Sequence, residues 1–157
     1  MSKYEEFIAH TRKMLTDLHV HCKTLFKDIG SQPPMLCIIT KDEIKIEPMQ
    51  DYIGSPEIMQ AVIKMHTLNN LGTILITEAW MASCSKEEME EDDDFVPPSQ
   101  REDREEVVIF VVQSKVGNYA ARARILREPN DLGDLEFFDV EDGTGKGELR
   151  GKYIVNQ

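Results

Sequence analysis

Basic residues are scarce in this chain. Eighteen Lys and Arg stand against 29 Asp and Glu, giving a formal net charge of −11 over 157 residues. A surface of that sign repels nucleic acid and anionic lipid unless a basic patch is set apart from it, so nucleic acid is not the expected partner. Cysteine is scarce as well: Cys22, Cys37 and Cys84 are odd in number and none lies in a Cys-x-x-Cys pair. That excludes a disulfide framework and a paired-ligand zinc site. The three are read as plain reduced thiols, with Cys22 and Cys37 buried as small hydrophobes. No apolar run approaches the roughly 18 to 20 residues that cross a bilayer. The opening Met1–Glu6 lacks the basic and apolar regions of a secretory leader. The expectation is a cytoplasmic protein without membrane association.

What is present suffices for one folded unit. Hydrophobic residues make up 41% and charged residues 30%, the balance of a globular protein rather than a disordered one. No repeat and no linker divides residues 1–157, so a single α+β domain is expected. The acidity is local: eleven acids and three bases lie between Lys86 and Glu106, and the remainder carries only −3. Glu87, Glu88, Glu90, Glu91, Asp92, Asp93 and Asp94 repel one another and offer little to bury. Residues of about 83–103 are therefore expected to form a solvated, mobile loop. A recruiting surface for a basic partner is the functional alternative. Calcium binding is disfavoured because the run has no glycine to turn the backbone around an ion.

Periodicity supplies the rest of the organisation. Tyr4, Ile8, Leu15, Leu18, Cys22, Leu25 and Ile29 recur in steps of three and four, with Thr11 the one polar interruption. They predict a long amphipathic helix over 4–29, ended by Gly30 and Pro33-Pro34. Its stripe packs on a sheet or is shared with a second subunit. Met35–Thr40 and Glu43–Glu47 read as strands joined by Lys41-Asp42. Ser55 and Pro56 open a second helix whose inner face is expected to be Ile58, Ala61, Val62 and Met65. Thr73–Met81, Val107–Val112, Tyr119–Arg127 and Leu135–Val140 follow as strands, with Tyr153–Val155 as a further edge. Val107–Val112 is apolar throughout, as a strand covered on both sides is. Gly143–Gly147 is read as a turn, since Val140 and Gly147 stand where a phosphate loop needs glycine and a hydroxyl. The expected architecture is an antiparallel sheet of five to seven strands with two helices on one face, in the order α-β-β-α-β-β-β-β.

One residue breaks the apolar pattern. Glu78 shares a strand face with Ile74, Ile76 and Trp80, the only tryptophan. A carboxylate there must find a partner, shift its pKa or line a cavity. Arg122 and Arg124, alternating with alanines in the Tyr119 strand, and Arg104, which leads into the Val107 strand, are the candidate partners. Glu78, Trp80, Arg104, Arg122 and Arg124 thus form the candidate ligand site. The four histidines form no metal pair at helical spacing, so no metal and no cofactor is expected.

Thr77-Glu78-Ala79-Trp80-Met81, with Pro98-Ser99 and Arg104-Glu105-Glu106 ahead of an apolar strand, resembles small proteins of bacteria and their phages whose role is uncharacterised. The resemblance spans about residues 72–127. It implies a microbial source and no particular activity. The expected function is binding, of a protein partner or a small anionic ligand, with a phage-type inhibitor or adaptor as one form of it. The alternative is a small enzyme with Glu78 as general acid or base and Arg122 or Arg124 stabilising negative charge.

Overall fold

The computed structural model describes residues 2–83, 105–138, 145–149 and 152–155. In chain order these form α1 (Lys3–Ile29), β1 (Met35–Ile39), β2 (Ile44–Pro48), a 3-10 turn at Gln50–Tyr52, α2 (Pro56–Asn69), β3 (Gly72–Ser83), β4 (Glu105–Gln113), β5 (Asn118–Leu126), β6 (Asp131–Phe138), β7 (Gly145–Leu149) and β8 (Lys152–Val155). Glu87, Glu88, Glu90, Glu91, Asp92, Asp93, Asp94 and Arg104 lie outside the described residues. The α+β class and the antiparallel order α-β-β-α-β-β-β-β are those expected.

Local chemistry sets the ends of α1. The Ser2 hydroxyl accepts from the Glu5 N–H at 3.1 Å, with Glu5 and Glu6 in the positive first turn. Gly30 closes the helix in the left-handed region, φ 71°, and its N–H donates to the Phe26 carbonyl at 2.8 Å. Thr11 is fully buried yet satisfied: its hydroxyl bonds the Tyr119 hydroxyl and donates to the Phe7 carbonyl at 2.8 Å. The polar interruption is thus a pin between helix and sheet.

Six strands run β2-β1-β3-β4-β5-β6, all antiparallel. That six-stranded run is within the five to seven strands expected, and two more attach off it, for eight among the described residues. β7 pairs with Trp80–Ser83 of β3, and β8 pairs with β7. The glycine-rich turn expected at 143–147 gives way to a strand from Gly145, because the far end of β3 offers it an edge. β4 holds one side of β3 from Thr73 to Met81, so β1 and β7 share the other. β1 covers Gly72–Ile76 and β7 begins at Trp80. The sheet is therefore forked along that edge, and Thr77, Glu78 and Ala79 lie in the gap.

The helices are not on one face. Leu15, Cys22 and Phe26 of α1 pack with Cys37, Ile39, Ile74, Ile76, Val108 and Phe110. Met59 and Ile63 of α2 pack with Leu36, Ile38 and Leu75, the alternate residues of the same strands. Side chains alternate across a strand, so each helix covers its own face. The uninterrupted apolar run of β1, Leu36 to Ile39 all buried, needs cover on both sides, and one-sided helices would leave half of it wet.

α2 also turns a different face inward. Met59, Ile63 and Thr67 are its buried residues, while Ile58 and Met65 are 54% and 49% exposed. Ile58, Ala61, Met65 and Leu68 form an outer stripe at steps of three and four, opposite the core. Met65→Glu should accordingly change the unfolding free energy by no more than about 0.5 kcal/mol, read by urea titration. A loss of several kcal/mol would restore the expected inner face.

The two described cysteines sit together in the α1-side core. Burial pushes the Cys22 thiol up to about 12, with Cys37 nearby adding to the shift, and pushes Cys37 to about 11. Both stay neutral and unreactive at physiological pH.

Candidate functional site

The register of β3 decides which polar groups meet. Glu78 pairs with Val108 and Trp80 with Glu106, so Glu78, Trp80 and Glu106 share the α1 face. Glu78 and Glu106 are diagonal neighbours, a relation that puts them roughly 7–8 Å apart. They line an open hollow of about 100 Å³ together with Ala79. The hollow lies at the fork, where the sheet's edge is not continued by β1 or β7.

α1 ends beside it. From Gly30 the chain passes Gln32, whose backbone N–H donates to Glu78 Oε2 at 3.3 Å. Gln32 is 1% exposed, and its Nε2 donates to the Pro33 carbonyl at 2.9 Å. That bond fixes the amide's orientation. Gln32 Oε1 is the one buried side-chain polar atom without a hydrogen-bond partner among the described residues. Glu78 itself is half-buried, at the margin of the apolar face rather than inside it.

Arg127, just past β5, reaches the site through Glu106. Its Nη1 donates to the Gly30 carbonyl at 2.8 Å and to Asn130 Oδ1 at 3.4 Å. Its Nη2 donates to Glu106 Oε1 at 3.1 Å, and the guanidinium sits 5.1 Å from the Phe26 ring centroid. One side chain thus ties the negative end of α1 to β4 and holds Glu106 in place. Among the described residues, one arginine stands beside two carboxylates here.

The expected arginines are elsewhere. Arg122 and Arg124 pair with Ile109 and Val107, which belong with Ala79 and Met81 on the opposite face. Arg124 meets Glu105 at 2.6 Å. Arg122 lies 3.7 Å from Glu136 and 5.8 Å from the Phe138 ring centroid. The thickness of the sheet separates both from Glu78, so the alternative of Glu78 chemistry assisted by Arg122 or Arg124 has no geometric basis here. Trp80 is brought to Glu78 as the alternation requires. Arg104 and the acidic run lie outside the described residues. Glu106 and Arg127 were missed as site residues. The signal for Glu106 was parity: two residues before Val108, it shares Val108's face and so that of Glu78.

No group of three or more His, Cys, Asp or Glu that could hold a metal occurs among the described residues. His19 Nε2 bonds the Gly133 carbonyl at 2.9 Å. Among the described residues no helix is long and apolar enough to cross a membrane. Neither a protein-family model, a curated protein nor a solved structure matches this chain.

Proposed function

We propose that the protein is a binding protein whose forked-sheet hollow receives a basic side chain of a protein partner. The observation that carries this reading is the chemistry of the lining: two carboxylates and an indole around about 100 Å³. Carboxylates accept charge-assisted hydrogen bonds, and an indole face attracts a guanidinium or ammonium. Of the two ligand classes first expected, a small anion fits poorly. Among the described residues the cation beside the hollow is Arg127, and its donors already serve Gly30, Asn130 and Glu106. A protein partner fits better, and an inhibitor or adaptor role is compatible with it.

Trp80 supplies the test, since it is the only tryptophan and lines the hollow. Titration with N-acetyl-arginine amide should change its fluorescence saturably, with Kd on the order of millimolar for so small a probe. Inorganic phosphate should leave it unchanged. Glu78→Gln should weaken the arginine probe about tenfold, the loss of one charged hydrogen-bond acceptor. Saturable binding of phosphate with no response to arginine amide would reverse the proposed charge of the ligand.

A further inference from the structure

β2 is an edge strand: β1 holds one side and no described strand holds the other. The phase of the β1–β2 hairpin states which of its groups face outward. The Thr40 N–H donates to the Glu43 carbonyl at 2.9 Å, and the Met49 N–H donates to the Pro34 carbonyl at 3.0 Å. These two contacts are in phase, so Glu43, Lys45, Glu47 and Met49 direct their backbone groups toward β1. Ile44, Ile46 and Pro48 direct theirs away from the sheet. Ile44 and Ile46 are also apolar and 39% and 60% exposed. They stand on the α1 face, opposite Ile39 and Cys37. A free edge carrying exposed β-branched residues is a template for another strand.

The charge pattern of Glu43-Ile44-Lys45-Ile46-Glu47 names that strand. We infer that β2 pairs antiparallel with β2 of a second copy about a two-fold axis at Ile46. In this register Ile46 faces its own counterpart and exchanges two hydrogen bonds with it. Ile44 N–H donates to the carbonyl of Pro48 in the partner strand, and the missing proline N–H leaves only the return bond unmade. Lys45 then faces Glu47 of the other copy, twice by symmetry, on the face away from α1. Lys45 is 64% and Glu47 35% exposed, so both reach across. A slip that placed the axis at Lys45 would set lysine against lysine and Glu43 against Glu47, which is repulsive. A slip to Ile44 would set Glu43 against Lys45, also an attractive pair, but it would draw Asp42 of the tight turn into the ladder and leave Pro48 outside it. The register at Ile46 keeps the whole ladder within β2, and it covers Ile44 and Ile46. The stripe of α1, by contrast, is already turned to its own sheet through Leu15, Cys22 and Phe26.

Sedimentation equilibrium over a range of concentrations tests this on the whole chain. The wild type should form a dimer. Lys45→Glu and Glu47→Lys should each raise the dimer Kd on the order of tenfold or more, and the charge-swapped double variant should recover most of the loss. Circular dichroism and urea midpoints check that each variant folds. Recovery in the double variant is the decisive outcome, because the loss of the Glu47–His66 contact at 2.8 Å persists there. A wild type that is monomeric throughout overturns the proposal. So does a dimer indifferent to both single changes, which would place the interface elsewhere, the outer stripe of α2 being the next apolar surface.

Discussion

Phe110→Ala is expected to lower the free energy of unfolding by about 3–5 kcal/mol, among the largest losses a single truncation here can produce. Phe110 is fully buried at the middle of β4, paired with Ile76 on one side and Ala121 on the other. It belongs to the cluster that Leu15, Cys22 and Phe26 of α1 cover. The neighbouring alanines of β5, Ala121 and Ala123, are small and cannot move in to fill the space, so most of the void should persist and the cost should fall toward the upper end. Urea titration reads it as a fall in midpoint at an unchanged slope. Phe137, 38% exposed on β6, provides the contrast: the same truncation there should cost about 1 kcal/mol or less, since much of that ring is already wet. Equal losses at both positions would mean that the core is not centred between α1 and β4.

The order of elements was readable because each strand and helix carries its own short-range signal. α1 is the clearest case, with its apolar steps, acidic first turn and closing glycine all agreeing. The phase of α2 was not readable in the same way. Its residues Ile58, Met59, Ala61, Val62, Ile63 and Met65 are apolar on both sides, so the period fits two opposite faces. Two polar contacts to the neighbouring strands distinguish them. His66 meets Glu47 of β2 at 2.8 Å, and the Thr67 hydroxyl bonds the Thr73 hydroxyl at 2.7 Å. Neither can be seen in a window of helix sequence. The two-sided cover of β1 could have been inferred, since a strand of four buried apolar residues in a row has no wet face. β7 could not, because Gly145–Leu149 has little strand propensity and owes its place to the free edge of β3.

The site shows the same division. Glu78 and Trp80 follow from alternation within one strand. Their separation from Arg122 and Arg124 follows only from how β4 and β5 register, which places Arg122 across from Ile109 and therefore behind the sheet. Arg127 has the parity of Tyr119, Ala121, Ala123 and Ile125, the residues of β5 on the α1 face, so alternation carried one step past β5 puts it on that side and away from Arg122 and Arg124. Its tie to Glu106 could not be read from parity, because Arg127 lies in the turn residues 127–130 and an arginine in a turn is ordinarily a solvated surface group.

Arg127→Met should separate structure from recognition at the hollow, with opposite signs on the two readouts. Methionine keeps the apolar stem against Phe26 but removes the donors to Gly30 and Glu106. At 43% side-chain exposure the contacts are partly screened, so the stability loss should be about 1–2 kcal/mol rather than the full value of buried charged hydrogen bonds. Binding of N-acetyl-arginine amide should nevertheless strengthen, by roughly threefold to fivefold, as a competing positive charge leaves and Glu106 becomes available to the probe. If the hollow instead took an anion, the same substitution would remove its adjacent cation and binding of phosphate would vanish. The sign of the change therefore distinguishes the two ligand classes without knowledge of the natural partner. A variant that lost stability while both probes stayed unaffected would assign Arg127 to fastening α1 onto β4 alone, and would take the hollow out of the binding function.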